Sequence, residues 1–143
     1  MKVNTLLFLR ITLGLLMLVW GVDKLVHVQH GVKVAQTFYL GMASGPLFLH
    51  VFGALQMLLG LVIVLGYKRR VAYPILLVIT GVTMLAVWRS VVDPWGWYLS
   101  GTKVLFFPSV IIFAAAFVLY AFQADDSKAL DVAGESAKRP QAT

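Results

Sequence analysis

The sequence contains no cysteine, and this absence removes several kinds of chemistry at once. Disulfide bonds, thiolate nucleophiles, cysteine-ligated zinc and iron–sulfur clusters all depend on that side chain. Charge is scarce as well, because charged residues make up 13% of the chain, against about a quarter in a typical soluble domain. Hydrophobic residues make up 60%, and the mean hydropathy is +0.87. Together these values are typical of a membrane protein.

Acidic residues are the scarcer charged type, since six of them stand against twelve lysines and arginines and leave a formal net charge of +6. A positive balance of this size indicates a nucleic-acid partner when the basic residues form a patch or stripe. Here they flank the long apolar runs, which is the pattern of membrane orientation signals. The sequence therefore predicts that the chain's partner is the lipid bilayer and not a nucleic acid.

Four long apolar runs organise the chain. Each is close to the roughly 20 residues that a helix needs to cross about 30 Å of hydrocarbon. Backbone N–H and C=O groups find no water there, so helix is the expected state of each run. We therefore predict an all-α polytopic membrane protein, a four-transmembrane-helix bundle formed by residues 1–122. The predicted spans are residues 5–26, 47–66, 71–92 and 103–122.

Basic residues predict how the bundle is oriented. Lys68, Arg69 and Arg70 form the densest positive cluster in any loop, and such short loops face the cytoplasm. With four spans, both termini then lie on that same side, so the predicted topology is N-in and C-in, multi-pass, in the plasma membrane. Residues 123–143 are polar and mixed in charge, and we predict that they form a disordered cytoplasmic tail.

Glycine spacing predicts close helix packing. Gly14 and Gly21 are seven residues apart, as are Gly53 and Gly60, so each pair lies on one helix face where backbones can approach. In the loop after the first span, residues 27–45, the spacing of the apolar residues predicts a short helix lying in the membrane interface. Its apolar face would hold Val32, Ala35, Phe38, Tyr39 and Met42.

Polar residues converge on the outer end of the predicted bundle. Because polar groups inside a membrane are costly, this convergence predicts a polar pocket in the outer half. Arg10 lies toward the cytoplasmic side instead, where it either snorkels to the headgroups or pairs within the bundle. The outer residues are Asp23, Lys24, His27 and His30 near the end of the first span, His50 and Gln56 in the second, and Arg89, Asp93 and Lys103 around the second outer loop.

Three interpretations of this pocket follow from the residue types. A quinone headgroup fits, because its carbonyls accept hydrogen bonds from His, Gln, Arg or Lys, while its isoprenoid tail would lie between helices. A haem or metal ion is less favoured, because the H-x-x-H spacing of His27 and His30 is a weak signal by itself. The third is a structural network in which Asp23 neutralises a neighbouring lysine or arginine, since buried charges must pair.

The stretch LRITLGLLMLVWGVDKLVH, residues 9–27, resembles the opening signature of DoxX-like membrane proteins. That signature has an Arg early in the first span, a Leu-Gly pair soon after it, and an ending of small residue-x-x-Lys-Leu. The segment FYLGMASGP, residues 38–46, is similar to the family's interfacial segment, and the layout of four spans fits as well. The matching positions of the signature are Arg10, Leu13, Gly14, Gly21, Lys24 and Leu25.

The resemblance implies a small membrane protein of the DoxX/DoxD superfamily. This superfamily includes the small membrane subunit of thiosulfate:quinone oxidoreductase and the methylamine-utilisation membrane protein, and its members often accompany soluble enzymes. We therefore expect a membrane subunit or anchor of a quinone-coupled redox system, with a protein partner in a membrane or redox complex. The alternative is a non-catalytic accessory subunit of a larger membrane complex. Whether the chain is itself an enzyme, and whether it forms a homo-oligomer, stays open at this point.

On the redox interpretation, the polar residues have distinct expected roles. His27 or His50 donates to a quinone carbonyl and exchanges protons, and Asp23 orients His27. No metal ligand is assigned. The expected quinone-binding residues are Lys24, Gln56, Arg89 and Lys103, of which the last two would stabilise developing negative charge.

Overall fold

The computed structural model describes residues 1–38 and 45–132, and in this part of the chain every regular element is helical. The predicted all-α, four-span membrane bundle is confirmed, because four helical stretches are long and apolar enough to cross a membrane: Lys2–Val26, Pro46–Leu65, Arg69–Ala86 and Val104–Ala121. In chain order the helices are α1 (Lys2–Val26), α2 (Val28–Phe38), α3 (Pro46–Leu65), α4 (Arg69–Ala86), α5 (Trp88–Val92) and α6 (Pro108–Ala121), with a 3₁₀ turn at Val104–Phe106.

The turn between α3 and α4 uses the left-handed backbone region. α3 ends at Gly66, whose φ of 70° suits a glycine because it has no Cβ. The N–H groups of Gly66 and Tyr67 donate back to the carbonyls of Ile63 and Val62 and so satisfy the end of the helix. Lys68, with a φ of 47°, then leads directly into α4. The chain reverses tightly, and α3 and α4 run antiparallel.

The third and fourth spans are more broken than predicted. α4 ends at Ala86, and the separate short helix α5 follows where the predicted span continues to residue 92. This break turns Ser90 inward, where its hydroxyl oxygen accepts the Lys103 N–H at 3.0 Å. α6 begins at Pro108, because proline has no N–H with which to continue a helix from the preceding 3₁₀ turn.

α1 and α3 pack antiparallel, backbone against backbone, at two glycine pairs. A Cβ at Gly14 would come within 2.9 Å of the Gly60 carbonyl oxygen, and a Cβ at Gly60 within 2.7 Å of the Gly14 carbonyl oxygen. Seven residues along, Gly21 and Gly53 make the same reciprocal approach at 2.8 and 2.9 Å. The close packing predicted from glycine spacing is therefore confirmed.

The core joins the α1–α3 pair to a second pair in which α4 packs on α6. Outside the core, large apolar side chains such as Phe8, Leu58 and Ile111 are exposed, as suits helices surrounded by lipid. Because the surroundings of the helices are apolar, polar groups must either pair inside the bundle or lie at its ends. The buried core consists of Leu13, Met17, Ile63, Ala72, Tyr73, Leu76, Ala116 and Leu119.

The bundle has two ends of different character. The end that we term the turn end carries the start of α1, the α3–α4 turn and the segment after α6. The opposite end, termed the histidine end, carries the α1–α2 junction at His27 and the loop between α5 and the 3₁₀ turn. The candidate sites lie one at each end.

α2 is the short helix predicted after the first span. Gly31 and Ala35 are buried, whereas Lys33 is exposed, so one face of α2 packs on the bundle and the other faces outward. This division is what an interfacial amphipathic helix requires. Tyr39 and Met42, which the prediction placed on the same apolar face, lie outside the described residues.

Residues 123–132 are ordered, although the sequence predicts disorder for them. Asp126 and Ala129 are buried, and the Asp131 N–H donates to the Gly66 carbonyl at 3.3 Å. The segment is ordered because its carboxylates meet a buried guanidinium and helix N–H groups, which a prediction from composition does not register. Residues 133–143 of the predicted tail lie outside the described residues.

Candidate functional site

At the histidine end, one carboxylate bridges two imidazoles. Asp23 lies in the last turn of α1, His27 caps that helix, and His30 lies in the first turn of α2. Asp23 Oδ1 lies 3.3 Å from Nδ1 of His27, and Oδ2 lies 2.7 Å from Nδ1 of His30. The side chains of Asp23, His27 and His30 are 37%, 68% and 62% exposed. We call these three residues the histidine cluster.

The helix break at His27 builds the cluster. The His27 N–H donates to the Asp23 carbonyl at 2.8 Å and closes α1, and the His30 N–H donates to the His27 carbonyl at 2.9 Å as α2 begins. The contact between Asp23 and His27 follows from their i,i+4 spacing on a helix. His30 belongs to α2 and reaches the carboxylate across the break.

Lys24 is held by α1 and α3 and not by an acid. Its Nζ donates to the Trp20 carbonyl at 3.3 Å and lies 5.6 Å from the centroid of the Phe52 ring. An ammonium group over an aromatic face is attracted by the ring quadrupole. Asp23 pairs closely with the imidazoles, and within residues 1–38 and 45–132 no hydrogen bond or ion pair of 4 Å or less joins it to a lysine or arginine.

His50 lies near the same end, on α3. The antiparallel register that pairs Gly21 with Gly53 puts His50 level with Lys24. His50 is exposed, and its Nδ1 lies 2.7 Å from the Pro46 carbonyl oxygen. Because a carbonyl oxygen only accepts hydrogen bonds, Nδ1 carries the proton and Nε2 is left as an acceptor.

Gln56 is deeper in α3 and is separate from the cluster. It is 2% exposed, and its Nε2 donates to Met17 Sδ at 3.6 Å. Its Oε1 is also buried and accepts no hydrogen bond from the described part of the chain. Six residues of helix put Gln56 about 9 Å below His50, so it lies in the apolar interior and not at the histidine end.

Arg89 and Lys103 lie on the other side of the bundle. The Arg89 guanidinium lies 5.8 Å from the centroid of the Trp88 ring. Lys103 has an exposed side chain and bonds Ser90 through its backbone. Within residues 1–38 and 45–132, no hydrogen bond or ion pair links either side chain to the histidine cluster, and no group of three or more His, Cys, Asp or Glu is placed to hold a metal ion. The residues predicted to line one pocket are thus spread over both helix pairs.

Asp93 organises the loop between α5 and the 3₁₀ turn. Its carboxylate accepts the backbone N–H groups of residues 96–99 at 2.7–3.0 Å. These hydrogen bonds favour the ionised form and lower the pKa of Asp93 below the usual carboxyl range, with the Tyr98 N–H contributing most. In the same loop the exposed rings of Trp95 and Trp97 stack 5.3 Å apart. Asp93 is therefore a structural residue of this loop.

A second polar site, at the turn end, is buried. Arg10 of α1 and Asp126 form an ion pair with 2.9 Å between Nη1 and Oδ2, and their side chains are 3% and 0% exposed. Nη1 also lies 3.1 Å from Oδ1, and Nη2 donates to the Lys128 carbonyl at 3.2 Å. The Tyr73 hydroxyl of α4 donates to Asp126 Oδ2 at 2.7 Å. Of the two alternatives predicted for Arg10, pairing within the bundle is the correct one.

Further contacts tie residues 123–132 to the start of α4. Arg69 Nη1 donates to the carbonyls of Gln123 and Asp126 at 2.6 and 2.8 Å. The Asp131 carboxylate accepts the N–H groups of Lys68 and Arg69, both at 2.8 Å. A carboxylate in this position satisfies helix N–H groups that have no intrahelical partner and is favoured by the helix dipole.

Sequence reasoning missed Asp126 because 116 residues separate it from Arg10. The available signal was the scarcity of acids: the chain has six, and Asp125 and Asp126 lie three and four residues past the end of the fourth predicted span. An arginine inside a span needs a carboxylate to be tolerated. In a four-span topology the end of the fourth span returns to the level at which the first one starts, which brings this pair of acids toward Arg10.

Comparison with known proteins gives a family match. The family model described as DoxX matches residues 5–89, more than half of the chain. No curated protein and no solved structure matches it. The matched range contains the histidine cluster, Arg10 and Tyr73, and it ends before Asp126.

Proposed function

Because the chain belongs to the DoxX family, as its match over residues 5–89 establishes, we propose that it is the membrane subunit or anchor of a quinone-coupled redox system. The histidine cluster is the proposed quinone-binding and proton-exchanging group. The observation that carries the proposal is the single Asp23 carboxylate in contact with two exposed imidazoles at the end of a membrane span. In this proposal a protein partner supplies the electrons.

The imidazoles of the cluster fit the headgroup of a quinone or of its quinol. His27 and His30 both direct Nδ1 at Asp23, so their Nε2 atoms are left for a ligand. The carboxylate between them fixes the ring orientation and stabilises either imidazole when it takes up a proton. A bound quinone accepts two electrons and two protons and becomes the quinol. A protonated imidazole donates from Nε2 to a quinone carbonyl, and a neutral one accepts at Nε2 from a quinol hydroxyl.

The lipid-facing surface beside the cluster supports the same ligand class. Val22 and Val26, in the last turns of α1, are 43% and 67% exposed, so an isoprenoid tail can lie along them. His50 lies at a similar level on α3, and its Nε2 is a further candidate acceptor for a quinol hydroxyl. Lys24 is held by Trp20 and Phe52, and Gln56 lies in the apolar interior. Arg89 and Lys103 lie on the other side of the bundle, so the proposal assigns recognition to the cluster and His50.

A quinone titration tests this proposal. A short-chain ubiquinone analogue is added to the detergent-purified protein while tryptophan fluorescence is followed, to which Trp20 contributes one turn from Asp23. The triple variant D23N/H27A/H30A lacks the proposed contacts, and we expect its affinity to fall about tenfold or more, the equivalent of at least roughly 1.4 kcal/mol.

The matched control for this titration is Lys33→Gln, on the exposed face of α2. It should leave the quinone affinity unchanged. Equal affinities of the triple variant and the parent protein, or fluorescence that shows no saturable quenching by the quinone, would contradict the proposal.

A non-catalytic accessory subunit is the second candidate function. It is favoured by the high exposure of the imidazoles and by the spread of the other polar residues over both helix pairs. Such a subunit would stabilise a larger membrane complex, or a homo-oligomer, through its lipid-facing side. It predicts a stoichiometric protein partner that co-purifies equally well with the parent protein and with D23N/H27A/H30A, and a complex free of quinone.

A further inference from the structure

Residues 123–132 contribute two carboxylates to the turn end, those of Asp126 and Asp131. Each carboxylate lies among hydrogen-bond donors that favour an anion. Asp126 is enclosed by the Arg10 guanidinium at 2.9 Å and the Tyr73 hydroxyl at 2.7 Å. The Asp131 carboxylate accepts the backbone N–H groups of Lys68 and Arg69, at the start of α4, both at 2.8 Å. Guanidinium groups, hydroxyls and helix N-termini are the donors that bind phosphate in proteins. We call Arg10, Tyr73 and the start of α4 the turn-end site.

Asp126 does not use all the donors of this site. A carboxylate matched to an arginine accepts from two of its nitrogens in parallel. Here the single Nη1 of Arg10 contacts both carboxylate oxygens, while the buried Nε–H has no hydrogen-bond partner among the described residues. A ligand with more oxygens, such as phosphate, has an acceptor to offer to that free donor.

The segment is attached mainly by polar contacts. It follows α6 as a series of turns, Ala129 is buried over Gly66, and Leu130 is 49% exposed. Exposed Lys68 and Arg70 add positive charge around the same turn. An attachment of this kind can be replaced by another anion that gains the same contacts, because a ligand shifts an equilibrium by its difference in affinity for the two states.

We propose that the turn end is an oxyanion-binding site that the chain's own C-terminal segment occupies, with Asp126 in the place of the ligand. The ligand class is a phosphate group, carried either by an anionic phospholipid headgroup or by free phosphate. Phosphate binding and segment binding exclude each other, so the ligand releases residues 123–132 from the bundle. This site lies at the opposite end from the histidine cluster and does not depend on the proposed redox function.

Removing the internal carboxylate tests the site directly. Asp126→Ala in the full chain should gain thermal stability from inorganic phosphate, by roughly 5 °C at about 100 times the dissociation constant. Asp125→Ala, which changes the exposed neighbouring acid, should gain no more than the parent protein does. Sodium chloride at equal ionic strength separates binding from screening. Equal shifts for Asp126→Ala, Asp125→Ala and chloride would overturn the proposal.

Limited trypsin digestion of the parent protein provides a test that needs no variant to fold. Lys128 is exposed, but its segment must leave the bundle to be cut, so cleavage follows the population of released chain. We expect phosphate at about ten times its dissociation constant for the bundle with the segment released to speed cleavage after Lys128 about tenfold. Unchanged cleavage at saturating phosphate and in bilayers of either lipid class would overturn the proposal.

Lipid composition distinguishes the two phosphate sources. The same digestion is carried out in nanodiscs of phosphatidylglycerol and of phosphatidylcholine, each with and without inorganic phosphate. Faster cleavage in phosphatidylglycerol alone identifies the headgroup as the ligand, and faster cleavage with phosphate in both lipids identifies free phosphate. Either outcome supports an oxyanion site.

Discussion

Asp126 and Asp93 are both buried acids, but different groups satisfy them. Asp126 accepts hydrogen bonds from two side chains, Arg10 and Tyr73, which come from distant parts of the chain. Asp93 accepts four backbone N–H groups from residues that directly follow it. Loss of Asp126 therefore leaves a charged guanidinium unpaired inside the bundle, whereas loss of Asp93 removes four hydrogen bonds that order a local loop.

A double-mutant cycle tests the buried ion pair. Arg10→Met and Asp126→Asn should each destabilise the protein by about 3–5 kcal/mol, because each leaves one buried partner uncompensated. The double variant should lose much less than the sum, since it removes both charges. Unfolding in mixed micelles with increasing denaturing detergent measures the three values. Additive losses, or an equal loss in the exposed control Asp125→Asn, would show that the pair is not coupled.

The Asp93 loop should respond to acid. Its carboxyl pKa is lowered in the folded protein, first by the Tyr98 N–H, so the stabilisation is present above the unfolded-state value of about 4 and is lost as the pH falls through the lower folded-state value. Fluorescence of the stacked Trp95 and Trp97 reports the loop during an acid titration. Asp93→Asn cannot titrate and should abolish this transition, whereas Asp125→Asn should keep it; a transition that survives in Asp93→Asn would refute the assignment.

At the scale of elements, the α1–α3 pair depends on four glycines. The reciprocal approach of their Cβ positions to facing carbonyl oxygens fixes both the register and the distance between these helices. That register in turn brings His50 to the level of the histidine cluster. The α4–α6 pair lacks such glycine contacts in the described part of the chain, and Gly81 faces the Phe113 ring instead.

Gly60→Ala should weaken the α1–α3 pair. Its methyl group would lie 2.7 Å from the Gly14 carbonyl oxygen and 2.9 Å from the Leu18 backbone nitrogen, so the helices must separate. We expect a loss of about 1–3 kcal/mol, as for other overpacked interiors, measured by thermal unfolding. Gly45→Ala is the control, because nothing lies within 4 Å of a Cβ there. Equal stability of the two variants would contradict the proposed packing.

Helix positions were predictable from the sequence because a bilayer allows few alternatives to a helix of fixed length. The glycine packing was predictable too, since a spacing of seven returns to one helix face. The ends of the spans were less predictable, because the break at Val87 is accompanied by the contact of Ser90 with Lys103, 13 residues further along the chain. Contacts between residues far apart in the chain were the least predictable. Arg10 pairs with Asp126, which lies in a segment whose composition predicts disorder.

At the scale of the whole molecule, the two ends are chemically different. The histidine end presents exposed imidazoles and an aromatic loop, whereas the turn end buries its ion pair and surrounds it with exposed lysine and arginine. The excess of basic residues at the turn end is the signal from which the sequence predicts that this end faces the cytoplasm.

Cysteine labelling tests that orientation, and the chain suits it because it has no cysteine of its own. Ser100→Cys lies in the loop at the histidine end and Ser127→Cys at the turn end, and both positions are exposed. A membrane-impermeant maleimide added to intact cells should label only Ser100→Cys, and both variants should react after the cells are opened. Labelling of Ser127→Cys alone in intact cells would contradict the predicted topology and indicate the opposite one.

We propose that this DoxX-family protein binds quinone at the histidine cluster, and the reduced-minus-oxidised ultraviolet spectrum measures that quinone directly. The spectrum of the protein, purified gently from its native membranes, is compared with that of D23N/H27A/H30A. We predict a stoichiometric quinone signal in the parent protein and its loss in the variant, with the bundle still folded. A flat spectrum from the parent protein, or an undiminished quinone signal from the variant, would contradict the claim.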